Sequence, residues 1–424
     1  MNQSESIRAF EELTKVPRNN RIWFMSELYW PEDRSTGFHI TTIAESTAAT
    51  LPVSVICSQP TYDTKGIHRP AVETRAGVAI YRTWNTKFDK NNLVLRLLKV
   101  LTFCLSTCII GLRRVRRGDV IVCVTTPPFL PLVAWLISAV RKSRYIVLVY
   151  DVYPAIFAAT GVVRPDSPPY RATQRLYNFI YKRAQGIIAI GQDMAERISA
   201  DCPGLTNKFE LIRNWADVES IKPSAFTSNQ LVRQLGLADK FIVQYSGNIG
   251  RTHGTEIVVD AAERLRGDPE IHFLIIGTGA KRRWLEAEVK KRTLDNITFV
   301  DYQPRENLAD TLCACHVALV TMAAGMLGLS VPSRTYNIMA AGRPIIAVTE
   351  SNSEIGAMIS TQRIGWVVKP GCADQLADAI RTARRSPEVL ADMSSRASKA
   401  AVTDYARAKI LDRYTMTLSK YLVS

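Results

Sequence analysis

The feature that most constrains this chain is an alternation, met once in each half, of short β-branched runs with longer helix-like stretches. In the first half the strand-like runs fall at residues 21–26, 53–57, 78–82, 120–124, 145–150, 186–190 and 209–212, with helical patterns such as 38–49, 171–184 and 192–200 between them. In the second half, runs at 241–245, 271–276, 297–300, 317–320, 344–348 and 365–368 alternate with helical patterns at 256–266, 280–293, 305–314, 333–341 and 373–385. Apolar strands separated by helices read as parallel sheets covered on both faces. The expected fold class is therefore α/β, with two doubly wound Rossmann-like domains facing a cleft. Pro223 and the Ser/Thr-containing stretch around it interrupt the alternation, which places the domains at residues 1–222 and 223–402. Residues 403–424 are expected to form a C-terminal helix that returns to the first domain. In sheets of this kind ligands bind beyond the carboxyl ends of the strands, so the chemistry is sought in the loops that follow them.

A chain of 424 residues has room for two cores, and 47% hydrophobic with 22% charged residues excludes a disordered or low-complexity polymer. Charge is the unusual part of the composition. Of the formal net +15, a net +10 lies in residues 82–144, where twelve basic residues face only Asp89 and Asp119. The same stretch holds the most apolar segments, 93–112 and 120–140, and basic residues flanking apolar ones point to an anionic membrane surface rather than to nucleic acid. Neither segment reads as a membrane span. Thr125-Thr126-Pro127-Pro128 breaks the second into strand, loop and helix, and the first carries Arg96 and Lys99 before ending in Arg113, Arg114, Arg116 and Arg117. Residues 93–112 are expected as a helix that is either buried or lies partly in a lipid interface, with those four arginines facing the membrane. Residues 1–20 are polar and mixed in charge, with no secretion signal, so a cytoplasmic location is expected. Eight cysteines without a CxxC pair and five histidines without ligand spacing imply reduced thiols and no metal site.

Three loops carry candidate chemistry. Ser246-Gly247-Asn248-Ile249-Gly250-Arg251-Thr252-His253-Gly254 sits between a strand and a helix, where glycines admit an oxyanion, the helix N-terminus offers N–H groups and Arg251 adds charge. The residues alone allow either a phosphate loop or an ordinary glycine turn with a solvated arginine. The second, residues 325–334, contains Gly325, Gly328, Leu329, Ser330 and Ser333 and leads into a helix on which Arg334 and Asn337 lie one turn apart. Such a face offers a cation to phosphate and an amide to a sugar hydroxyl; a capped helix with solvated polar residues fits the pattern equally. The third, residues 27–38, opens the first helix at Ser35, Thr36 and Gly37 and faces the far side of the ligand. Two further strand ends, at Gly277 and Gly279 and at Tyr302, suit a base or ribose. Asp151 and Tyr153 stand at another strand end, where Asp151 is either a turn residue before Pro154 or an acid in the cleft.

Taken in order along the chain, YWPEDRSTGFHITTIAE, TTPPFLPL, YDVYP, AQGIIAIGQDMAERI, LIRNWADVE, YSGNIGRTHGTEIVVDAA, FLIIGTGAKRRWLE, FVDYQPRENLADTLCACHVALV and VPSRTYNIMAAGRPIIAV resemble the family 4 retaining glycosyltransferases of GT-B fold. The resemblance covers almost the whole chain and lies closest to the subgroup that builds bacterial exopolysaccharide, colanic acid and O-antigen units. It implies a nucleotide-diphosphate sugar, with UDP favoured, held mainly by residues 223–402. It implies a lipid-linked saccharide acceptor on the first domain, at Ser35, Thr36, Gly37, Asp151 and Tyr153. It further implies no cofactor or metal, no nucleic-acid partner, and a peripheral position on the inner face of the plasma membrane. Members of that family commonly carry two glutamates eight positions apart where this chain has Leu329 and Asn337. Contact with the sugar then falls to backbone N–H groups of residues 325–330, and Asn337 is left to bond a ribose hydroxyl. The family's diphosphate-holding Arg and Lys correspond to Asn248 and His253, which shifts the cationic role to Arg251 and Arg334, with His253 second. Two other readings stay open at this level: a nucleotide-sugar epimerase of the same fold, and a non-catalytic membrane-peripheral or nucleic-acid-binding protein.

Overall fold

A computed structural model describes residues 20–32, 35–60, 68–84 and 93–423. The segment on which the secretion-signal expectation rests, residues 1–19, lies outside the described residues, as do Lys87, Asp89, Lys90 and the side chains of Ser35 and Arg96.

The chain forms two sheets. In the first, β1 (Ile22–Met25), β2 (Val53–Ser58), β3 (Val72–Arg75), β4 (Val78–Thr83), β5 (Val120–Val124), β6 (Arg144–Val149), β7 (Gly186–Ala189) and β8 (Phe209–Leu211) lie in the order β3-β4-β2-β1-β5-β6-β7-β8. Every pairing is parallel except that of β3 with β4. The second sheet is fully parallel and orders β9 (Phe241–Ser246), β10 (Ile271–Ile276), β11 (Ile297–Val300), β12 (Val317–Thr321), β13 (Ile345–Val348) and β14 (Gly365–Val368) as β11-β10-β9-β12-β13-β14. Central strands such as IWFM, VIVCV and VALVT are buried at every position, because helices cover both faces of a parallel sheet. The two doubly wound domains expected from the alternation are therefore present. The strand the pattern missed, β3, is an edge strand whose residues alternate between exposed and half-buried, so it carries no apolar run to find.

In both sheets the order reverses beside the first strand, between β1 and β5 and between β9 and β12. Such switch points open a crevice at the carboxyl ends of the strands. The loops at these ends touch across the gap: Val152 N–H donates to Leu329 O at 2.9 Å, and Asp151 forms an isolated antiparallel bridge with Ser330. The chain crosses between the sheets twice, near residues 212–217 and 404–407, and the two crossings pair. Ala216 N–H donates to Tyr405 O at 2.7 Å and Arg407 N–H to Ala216 O at 3.1 Å. The last helix, Arg407–Val423, then packs on helix Ser35–Ala48 of the first sheet, and Arg144 Nη1 donates to Tyr421 O at 2.7 Å.

Candidate functional site

The glycine loop after β9 and the helix Arg334–Ala340 after β12 meet at one guanidinium. Arg334 lies over the Tyr245 ring at 4.2 Å and donates from Nη1 to Ser246 O at 3.1 Å. Its Nε and Nη2 are buried and have no hydrogen-bond partner, and among the described residues no carboxylate pairs with it. An unpaired cation in such a place costs free energy unless an anion completes it, typically about 1–3 kcal/mol or more per unsatisfied group. Gly247 is required beside it: φ is +144°, and a Cβ there would lie 2.6 Å from Arg334 Nη1.

The loop's other parts also hold the local structure together. Gly247 N–H and Ile249 N–H donate to Ile276 O and Thr278 O, both at 2.9 Å, so those amides lace this loop to the next one. Gly277 and Gly279 serve that lacing, since Cβ atoms would fall 2.1 Å from Gly247 O and 2.4 Å from Ile249 O. Gly250 O accepts from His253 N–H at 3.3 Å, and Asn248, which is exposed, accepts the Tyr245 hydroxyl at its carbonyl at 2.7 Å. Arg251 is exposed and near Lys281, whose amine is lowered by burial and by the Arg251 charge. His253 corrects the expectation of a reserve cation. Burial, then the neighbouring Arg334 charge, push its imidazole down to about 3, so it is neutral at pH 7, against a weaker opposing bond to the Gly250 backbone. Tyr302 stands 62% exposed at the rim.

The loop at 325–333 is bound to the other domain. Gly328 has φ +67°, and a Cβ there would lie 2.6 Å from Asp193 O. The Gly328 backbone also favours the charged form of the Asp193 carboxyl, and Leu329 N–H donates to Met326 O at 3.1 Å while Leu329 O takes Val152 N–H. The Leu329 amide expected to reach a sugar is thus already engaged, Leu329 is buried, and Ser330 is held by its bridge to Asp151. Asn337 Oδ1 accepts Asp217 N–H, in the interdomain crossing, at 3.0 Å, so this side chain also ties the two domains. Ser333 occupies the N-cap position without a side-chain capping bond, because its backbone is already helical there.

On the first domain, helix Ser35–Ala48 begins at Ser35; Thr36 is half-buried, and Gly37 is tightly packed, its Cβ position 2.7 Å from Glu32 O. Asp151 is a cleft acid rather than a solvated turn residue. It accepts the Thr126 hydroxyl at 2.9 Å, and burial raises its carboxyl above the usual range against that hydrogen bond. Tyr153 is buried against Phe157 and Tyr177. Two features were not legible in the sequence. Arg305, at the carboxyl end of β11, stacks on Phe38 of the other domain at 3.5 Å, and Asp193 contacts Glu354 across the same divide. Both join residues far apart in sequence, with no local pattern to reveal them.

Only part of the basic, apolar stretch is a surface, since β5 is buried throughout and Arg82 is buried against Glu73. Helix Leu93–Arg114 exposes Leu97, Leu101, Leu105 and Ile109 at i, i+4 spacing, Leu105 by 63%, and Arg113, Arg114, Arg116 and Arg117 are all exposed at and beyond its end. Lys99 turns inward to Glu27 at 2.7 Å and adds nothing to that face. No helix among the described residues is long and apolar enough to cross a membrane. Among them no group of three or more His, Cys, Asp or Glu is placed to hold a metal ion, and all eight cysteines are free thiols.

Comparison with known proteins accounts for both halves. The model of the glycosyl transferase 4-like domain matches residues 37–215, and that of glycosyl transferases group 1 matches residues 228–400. A Pseudomonas aeruginosa protein named "Probable glycosyltransferase WbjE" is 34% identical over 287 residues, 66% of this chain and 69% of that protein. WcaI of Escherichia coli K12, described as a colanic acid biosynthesis glycosyl transferase, is 34% identical over 178 residues, 41% of this chain and 44% of its own length. Among solved structures, Anabaena HepE in complex with UDP and glucose superimposes with a TM-score of 0.72 at 16% identity, covering 95% of this chain and 100% of that one. WaaG, a glycosyltransferase of lipopolysaccharide biosynthesis, gives 0.67 at 14% identity over 92% and 99%. At these identities the structural likeness speaks for the fold.

Proposed function

This chain belongs to the family 4 glycosyltransferases of GT-B fold, and we propose that it moves a sugar from a UDP-sugar to a lipid-linked, polyprenyl-diphosphate saccharide in the assembly of a cell-surface polysaccharide. The observation that carries the donor assignment is the Arg334 guanidinium between the glycine loop and the loop after β12, whose buried Nε and Nη2 have no hydrogen-bond partner among the described residues. A nucleoside diphosphate supplies the missing negative charge. As the bond from the anomeric carbon to the phosphate oxygen breaks, charge accumulates on the leaving diphosphate, and a preorganised cation stabilises that state more than the ground state. Arg251 adds a solvated charge at the mouth. Asp151, held by Thr126, is a carboxyl that the first domain offers to the acceptor side of the cleft. Transfer proceeds with retention: the departing phosphate takes the acceptor's proton, so neither a protein nucleophile nor a metal is required.

The acceptor's lipid brings the reaction to a bilayer. The leucine stripe of helix Leu93–Arg114 and the four arginines after it suit an anionic inner leaflet, apolar side chains entering the interface and cations meeting headgroups.

The test is Arg334→Ala, with fold checked by circular dichroism. Turnover with a UDP-sugar and lipid-linked acceptor falls by roughly 10²–10³-fold, the range typical for loss of one charge-stabilising donor, and the UDP-induced rise in Tm disappears. Wild-type turnover in this variant overturns the donor assignment. Adding EDTA leaves wild-type turnover unchanged; its loss overturns the metal-free reading. Thermal shifts against UDP, GDP, dTDP and ADP decide the base.

A further inference from the structure

A reciprocal polar contact between the domains lies outside the donor site. Helix Gln192–Asp201 follows β7 in the first domain and helix Glu354–Gln362 follows β13 in the second, and their N-termini meet. Glu354 Oε2 accepts Gln192 N–H, the first amide of the opposing helix, at 2.8 Å, while Asp193 Oδ2 accepts Glu354 N–H, the first amide of the other, at 3.0 Å. Each domain thus caps a helix of its partner, satisfying amides that would otherwise be orphaned at a helix start. Arg213, at the end of the first domain, donates from Nε to Glu354 Oε1 at 2.5 Å. The Glu354 side chain is only 4% exposed.

Two glycines make room for this contact. At Gly191 a Cβ would lie 2.6 Å from Asp193 Oδ1, 2.8 Å from Val331 Cγ2 and 3.2 Å from Glu354 Cβ, and at Gly328 it would meet the Asp193 carbonyl. Asp193 therefore touches both the helix after β13 and the loop that leads, six residues on, to Arg334.

We propose that Asp193 and Glu354 are positioning residues: their reciprocal helix caps hold the two domains in the register that sets Arg334 against the acceptor-side loop at 150–154. The proposal rests on the glycosyltransfer reading for its kinetic consequence but not for its structural one. Neither carboxylate contacts the glycine loop, so donor binding within the second domain is separable from the placement of the first domain over it.

The experiment compares Asp193→Ala, Glu354→Ala, the double variant and Glu354→Gln by small-angle X-ray scattering, UDP thermal shift and steady-state kinetics. Each alanine variant is expected to show a larger radius of gyration, at least a tenfold lower kcat, a donor KM within about twofold of wild type and an intact UDP-induced shift. The double variant is no worse than the poorer single one, since the caps act as one unit. Glu354→Gln, which keeps an acceptor for the Gln192 amide, restores part of both scattering and kcat. Scattering that superimposes on wild type, or loss of the UDP shift in step with kcat, overturns the proposal. If an alanine variant fails to fold, Gly328→Ala perturbs the same contact from the other side, and unchanged scattering there overturns it equally. The scattering and UDP arms decide the clasp even if no glycosyl transfer is found.

Discussion

Two arginine regions of this protein show how little a count of charges says about what a charge does. Arg334 is one half-buried cation between two loops, with its Nε and Nη2 nitrogens buried and without a hydrogen-bond partner among the described residues. Arg113, Arg114, Arg116 and Arg117 are four exposed cations beside an apolar stripe. In the low effective dielectric of a cleft one charge interacts strongly and with one site, whereas solvated charges act weakly, additively and under salt screening. The net +15 counts both kinds alike, and the proposed donor chemistry rests on the first.

The division can be broken from either side. Replacing all four exposed arginines with Gln should weaken partition onto vesicles rich in anionic lipid by roughly 10²-fold or more at low salt, on the basis of about 1 kcal/mol per basic residue near such a surface. Turnover on a water-soluble acceptor analogue should stay at wild type; a matching fall there would mean the two regions are one. In the opposite direction Gly247→Ala forces a methyl group into the space of Arg334 Nη1 at a backbone φ of +144°. We expect a loss of tens-fold in kcat/KM for the donor with vesicle binding unchanged, because the displaced guanidinium loses its alignment more than its charge. Arg251→Ala should cost about three- to tenfold, shrinking further at high salt, since Arg251 is exposed and screened. An effect as large as that of Arg334→Ala would show that burial is not what separates them.

Much of this arrangement was legible in the sequence. Strands such as VIVCV and VALVT announce parallel sheets because burial on both faces removes any polar alternation. The glycine loop was legible for the same local reason, a run of glycines between strand and helix. What escaped was set by the other domain. Gly328 reads as a ligand-facing glycine until Asp193 is found against it, and nothing near Asn337 in the sequence announces that its Oδ1 accepts the Asp217 amide. Pairs more than a hundred residues apart leave no spacing to read, and the burial that neutralises His253 is likewise a property of the assembled loop.

His253 gives the finest test of the comparison, because it reports the Arg334 field without carrying charge itself. In the unfolded chain its imidazole titrates near 6.5; in the folded protein burial and Arg334 hold it near 3, and His316 is held near 4 by burial and by Arg343 and Arg384. A depressed folded value means that the folded state binds fewer protons than the unfolded one between those limits. The stability from these neutral histidines is therefore complete above about pH 6.5 and lost as the pH falls toward 3 to 4, each contributing a slope of at most about 1.4 kcal/mol per pH unit in that window. His253→Gln should flatten the acid limb of the Tm profile while leaving donor KM within about twofold at pH 7. Arg334→Ala, followed by NMR titration of the His253 ring, should raise its pKa, but only part of the way to 6.5, because burial is the larger cause and remains. A complete return to 6.5 would make the arginine field dominant; no movement at all would mean that Arg334 is not the strong, unscreened charge its burial implies.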